Sequence, residues 1–215
     1  MKKSTEYILN DFFSRYPQFN EIRQNIFDSV ELAIKTFSNG NKLLVCGNGG
    51  SAADGEHIVG ELMKYFVLRR ELTAKQKALI TDKFPNHADY LTANLQQALP
   101  AISLSSHTAL YTAFANDTDT DLVFAQQVLG YGKSGDLLLV ISTSGMSKNV
   151  IYAAEVAKTF GLNIIALTGK TGGALRDICD VLVNVPETET YKIQELHLPY
   201  YHAFCMAVEN EFFGE

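Results

Sequence analysis

Lys42-Leu43-Leu44-Val45-Cys46-Gly47-Asn48-Gly49-Gly50-Ser51 is an apolar run that stops at a glycine-rich turn. So short a run, bounded by turn residues, reads as a strand buried on both faces. Ser51 then stands before a helix predicted from about Ala52. The same unit recurs downstream. Ala101-Ile102-Ser103-Leu104 leads to Ser105-Ser106 and a helix from His107, and Asp136 to Ile141 leads to Ser142-Thr143-Ser144-Gly145 and a helix from about Ser147. Asn163 to Leu167 leads to Thr168-Gly169-Lys170, and Val181 to Val185 ends at Pro186. Five apolar strands alternating with helices predict an α/β fold, a parallel sheet covered on both faces. The polar loops fall at the carboxyl ends of strands, where such sheets hold their ligands.

Upstream, Ile8, Phe12, Phe13, Ile22, Ile26 and Val30 recur at helical spacing, predicting N-terminal helices over about 5–38 with a break at Tyr16-Pro17. A last helix is predicted over about 189–213, kinked or weakened at Pro199. Residues 67–98 contain Pro85, many charges and no clear strand, so they read as a helical or loop insertion whose Lys and Arg form a solvated face. No linker is visible, and 1–215 reads as a single domain.

The net charge of −6 argues against a broad nucleic-acid surface. It does not argue against a phosphorylated ligand, because helix N-termini and backbone N–H groups bind phosphate without net positive charge. Cys46, Cys179 and Cys205 are odd in number and lack C-x-x-C spacing, which points to a reducing, cytoplasmic setting. No apolar run reaches about 18 residues, so no membrane span is expected. The loop 47–51 matches neither a P-loop nor a dinucleotide fingerprint, so no organic cofactor is implied.

Gly49 and Gly50 let the backbone approach an anion closely. By itself this loop is as readily a tight turn with Ser51 as N-cap. The second loop, Ser142-Thr143-Ser144-Gly145-Met146-Ser147, places four hydroxyls within six residues at a strand end. The two loops together favour a phosphate-ester site.

These motifs resemble the phosphoheptose isomerase branch of the SIS (sugar isomerase) family. The resemblance is carried by Gly47 to Asp54 with His57 and Glu61, by Ala115-Asn116-Asp117, by Ile141 to Gly145, by Leu167 to Lys170 with Gly172-Gly173, and by Gln194-Glu195 with His197 and His202. It implies a three-layer sandwich, a homotetramer, and active sites built between subunits. It implies Ser51, Ser142, Thr143, Ser144 and Ser147 around the phosphate, with Asn48, Asn116, Asp117, Thr168 and Gln194 toward the sugar. The implied reaction interconverts sedoheptulose 7-phosphate and D-glycero-D-manno-heptose 7-phosphate, with Glu61 as base and His202 as acid. Some members bind zinc through residues matching His57, Glu61, Gln194 and His202. Met146, Tyr65 and Tyr191 depart from the usual Asn, Arg and Asp and leave the exact sugar open.

His57 and Glu61 are four apart and share one helix face. Gln194 and His202, eight apart, lie within roughly 80° of each other around the last helix. Taken singly, Glu61 reads as a solvated carboxylate and His202 as a packed core or interface histidine; it is the two together, in register with the loops and with the family pattern, that favour chemistry. His197 and the tyrosines Tyr191, Tyr200 and Tyr201 are expected at subunit contacts, and His87 at the surface. Two other readings remain: a non-catalytic SIS protein that binds a sugar phosphate or a replication-initiator partner, and an isomerase of another sugar phosphate.

Overall fold

The structure, a computed structural model, describes residues 1–215. Helices α1 (Lys3–Arg15) and α2 (Arg23–Ser38) are separated at Tyr16-Pro17 by a short 3-10 turn, as proline's fixed backbone predicts. Then follow β1 (Leu43–Gly47), α3 (Gly50–Met63), α4 (Ala74–Lys83), α5 (Ala88–Asn94), β2 (Ala101–Ser103) and α6 (Thr108–Asp117). The chain continues through α7 (Val123–Tyr131), β3 (Leu137–Ser142), α8 (Lys148–Thr159), β4 (Asn163–Thr168), β5 (Val181–Asn184) and α9 (Thr190–Phe213). The predicted α/β sandwich is present, and every strand pair is parallel.

Alternation along each strand builds the layers. Leu43, Val45, Leu137, Leu139 and Ile141 pack into a core with α1, α2, α3 and α9, while Leu44, Cys46, Leu138 and Val140 pack under α7 and α8. The strand order is β2-β1-β3-β4-β5. The order reverses between β1 and β3, and a crevice opens there beyond the carboxyl ends of the strands. The two loops singled out by the sequence leave those two strands.

α9 is one helix that contains Pro199, as expected, with the missing backbone bond tolerated because its apolar face is buried against α1, α2 and α3. Several expectations need correction. Tyr200 and Tyr201 are inside the chain rather than at a subunit contact, since their rings fill the core between α9 and the sheet. Tyr191 is exposed. The insertion forms α4 and α5, whose only buried residue is Ala88. Its charges are not all solvated, because Arg70 is buried in an ion pair with Glu209.

His197 is likewise interior, with 0% exposure. Its Nε2 lies 3.3 Å from the Thr168 carbonyl oxygen and donates to it, while Nδ1 has no partner. Burial pushes its pKa down to about 4, against the opposing effect of that hydrogen bond. The unfolded chain takes up a proton below the ordinary value of 6.5 that the folded chain refuses until about 4. The contribution to stability is therefore complete above pH 6.5 and is lost as pH falls toward 4, by about 3 kcal/mol. Denaturant titrations across that window should show a shallower slope for His197→Asn. Equal slopes would mean that His197 is not the group responsible.

Candidate active site

The first half of the site is a cradle at the β1/β3 crevice. Gly49 has φ of +56°, a left-handed angle that frees the start of α3. Ser51 is buried, and its N–H donates to the Asn48 carbonyl at 3.0 Å. Across the crevice, Ser142 Oγ and Ser147 Oγ are 3.1 Å apart. Ser144 Oγ accepts from the Met146 N–H at 3.2 Å. Ser147 caps α8 without a side-chain capping bond. Asn48 and Asn149 exchange amide hydrogen bonds of 2.9 and 3.0 Å and so tie the two loops together. Two helix N-termini and a row of hydroxyls thus share one crevice, a setting suited to an anion. A cavity of about 200 Å³ adjoins it, lined by Gly47, Asn48, Gly49, Ser105, Tyr111 and Thr112.

The hydroxyl loop is braced from β4. Gly169 N–H donates to the Thr143 carbonyl at 2.9 Å. Gly145 has φ of +65°, and a Cβ there would overlap the Gly172 carbonyl. Gly145→Ala must push that loop off the Gly172-Gly173 turn. We expect a KM for phosphorylated sugar raised on the order of tenfold or more, with a loss of about 1–3 kcal/mol in stability. An unchanged KM would show that the loop does not hold the phosphate.

The second half lies further along α3, against α9. His57 Nε2 is 3.1 Å from Glu61 Oε1, and Lys64 Nζ donates to Glu61 Oε2 at 3.2 Å. His57 Nδ1 is 3.0 Å from the Tyr201 hydroxyl, which donates to Asp54 Oδ1 at 3.2 Å. Tyr201 has one proton and gives it to Asp54, so its oxygen accepts from His57 Nδ1–H, which fixes the ring orientation. The His202 ring centroid is 5.2 Å from that of His57. His202 Nε2 is buried without a partner. Burial lowers the His202 pKa, as does the nearby His57, while Glu61 opposes the shift. Burial and His57 thus both favour the uncharged imidazole of His202. Asp54 is raised by burial, against the Tyr201 hydrogen bond and His57.

Glu61 is not the solvated carboxylate that a helix glutamate usually is, since its side chain is 12% exposed. His57, Glu61 and His202 come together as the sequence suggests. Gln194 does not join them. Its amide sits at Gly50, where a Cβ would come within 2.6 Å of Nε2. His57 and Glu61 lie seven and eleven residues on, roughly 10 and 16 Å along the helix. The four-residue zinc set is not assembled within one chain, and no group of three His, Cys, Asp or Glu is arranged to hold a metal ion. Thr168 is fully buried, its hydroxyl spent on the Gly169 carbonyl at 3.0 Å. Asn116 and Asp117 are exposed at the end of α6 and bond each other at 2.8 Å.

Tyr201, Asp54, Lys64 and Asn149 were missed by the sequence reading. Asp54 and His57 at helical spacing carried a signal for the first pair, and Asn149 in the first turn after the hydroxyl loop carried another. A cavity of about 680 Å³ lies between the end of α3 and the insertion, lined in part by Tyr65 and Arg70. Its charged lining mixes Arg69, Arg70 and Lys77 with Glu71 and Asp89.

The SIS domain model matches residues 91–169. A phosphoheptose isomerase of Nitratiruptor sp. is 38% identical over 194 residues, 90% of each chain. The chain belongs to the phosphoheptose isomerase family. A Campylobacter concisus phosphoheptose isomerase is 37% identical over 211 residues, covering 96% of this chain and 97% of the relative. Among solved structures, the phosphoheptose isomerase of Francisella tularensis aligns with a TM-score of 0.75 at 30% identity, over 97% of this chain and 100% of that one. The Neisseria gonorrhoeae enzyme aligns with a TM-score of 0.71 at 31% identity, over 96% and 94%.

Proposed function

We propose that the protein interconverts sedoheptulose 7-phosphate and D-glycero-D-manno-heptose 7-phosphate through an enediolate, as a single-domain phosphoheptose isomerase. The observation that carries this reading is the buried, unpartnered Nε2 of His202 beside the His57–Glu61 pair, in a chain of this family.

The glycine loop and the hydroxyl loop hold the phosphate, through Ser51, Ser142, Thr143, Ser144 and Ser147, with Asn48 toward the sugar. From the ketose, Glu61 takes a proton from C1, and His202 as a neutral imidazole donates to the C2 carbonyl oxygen. The O1 proton then leaves to His202, Glu61 returns its proton to C2, and an aldehyde remains at C1. Asp54, Tyr201 and His57 hold the face of Glu61 that meets the substrate.

Because Gln194 stands at Gly50, no step is routed through zinc. The homotetramer belongs to this reading, with the exposed Asn116 and Asp117 of each chain available to a neighbour's pocket. No helix is long and apolar enough to cross a membrane, and a cytoplasmic enzyme fits the three free cysteines.

The test is turnover of sedoheptulose 7-phosphate by purified protein, with and without zinc, beside a panel of pentose and hexose phosphates. Heptose 7-phosphate formation supports the reading. Faster turnover of another sugar replaces the substrate. Binding without turnover of any sugar replaces it with a non-catalytic role.

A further inference from the structure

Glu61 sits in the last turn of α3, where a helix leaves carbonyls without partners. Glycine commonly closes such an end. Here the residue after the helix, Lys64, is extended and makes no backbone capping bond. Arg70 closes the end instead, together with the Leu99 N–H, which donates to the Leu62 carbonyl at 3.0 Å. Arg70 Nη1 donates to the Leu62 carbonyl at 2.6 Å and its Nη2 to the carbonyl of Glu61 itself at 2.9 Å. Its Nε donates to Glu209 at 2.9 Å. Glu209 also accepts from the N–H groups of Phe66, Val67 and Leu68 at 2.8, 2.8 and 3.1 Å. Neither charged side chain has any exposure.

A charge pair withdrawn from water in this way is poor value for stability alone, and apolar side chains of similar volume often do as well. What apolar residues cannot do is aim a donor fork at two particular carbonyls. We propose that Arg70, held by Glu209, is a positioning residue for isomerisation: it fixes the last turn of α3 and thereby the placement of the Glu61 carboxylate over the substrate. The inference rests on Glu61 being the base. A reacting group misplaced by about 1 Å loses on the order of 10²-fold in rate. The base of the insertion is fastened to the same turn, with Gln97 N–H donating to the Arg70 carbonyl at 2.9 Å and Tyr65 N–H to Gln96 Oε1 at 2.8 Å.

Arg70→Lys keeps a cation beside Glu209 but cannot reach both carbonyls. The folded variant should lose kcat by about tenfold or more, with KM within about twofold, because the phosphate cradle lies at the far end of α3. A folded variant with kcat within about twofold of the parent, or with its loss in KM, would overturn the proposal. If Arg70→Lys does not fold, Glu209→Asp is read in the same way, since it keeps both charges and draws the carboxylate back by one methylene. Failure of both to fold would reduce the pair to a structural role and overturn the proposal too. Glu61→Gln run alongside separates the two claims. Near-normal turnover there removes the base and this proposal with it. Lost turnover there with normal kcat in Arg70→Lys removes this proposal alone.

Discussion

Glu61→Gln should lower kcat by about 10²–10⁴-fold while leaving the affinity for sugar phosphate within about twofold. Glutamine keeps the shape of the side chain and a hydrogen-bonding group toward His57 and Lys64, so the fold and the network around Tyr201 should survive. It cannot accept the C1 proton. The loss corresponds to about 3–5 kcal/mol of barrier. The cradle that binds phosphate begins eleven residues earlier on the same helix, roughly 16 Å away, and has no reason to change. A second measurement makes the result specific. In deuterated water the parent should incorporate solvent deuterium at the carbon that is reprotonated, and Glu61→Gln should not. A variant that turns over and exchanges at the normal rate would remove Glu61 from the chemistry.

The second large effect is on stability. Glu209→Ala leaves the Arg70 guanidinium buried without its anion and strips the acceptor from the N–H groups of Phe66, Val67 and Leu68. Breaking one side of a buried pair costs about 3–5 kcal/mol. For a chain of this length each kcal/mol moves Tm by about 2–4 °C, so a fall of roughly 10 °C is expected in calorimetry. Replacing both partners, as Arg70→Met with Glu209→Leu, should recover only the part due to the orphan charge, because the N–H groups of Phe66, Val67 and Leu68 still lack their acceptor. A single variant as stable as the parent would show that water reaches the pair.

The candidate site was partly legible in the sequence. Glu61 was readable because His57 lies four residues before it on a helix that a glycine loop announces. Arg70 was not, since an arginine between Arg69 and Glu71 looks like any solvated charge until Glu209 is brought to it from 139 residues away. Tyr201 looked like packing for the same reason: its partners Asp54 and His57 are 147 and 144 residues distant. Gln194 was misplaced because helical spacing gives an angle around α9 but not the axial position of α9 beside α3.

By itself the sequence determined the strands, the helices and the two loops at strand ends, because those depend on neighbours two to four residues apart and on the backbone freedom of Gly and Pro. The family motifs were legible for the same reason, each being a short contiguous run. Only the tertiary structure decided that β1 and β3 are adjacent at the point where strand order reverses. It alone decided that Gln194 meets Gly50 rather than His57, and that a buried ion pair closes the helix carrying Glu61. Those are contacts between segments 94 to 144 residues apart. They are selected by the packing of whole faces, which no local pattern records.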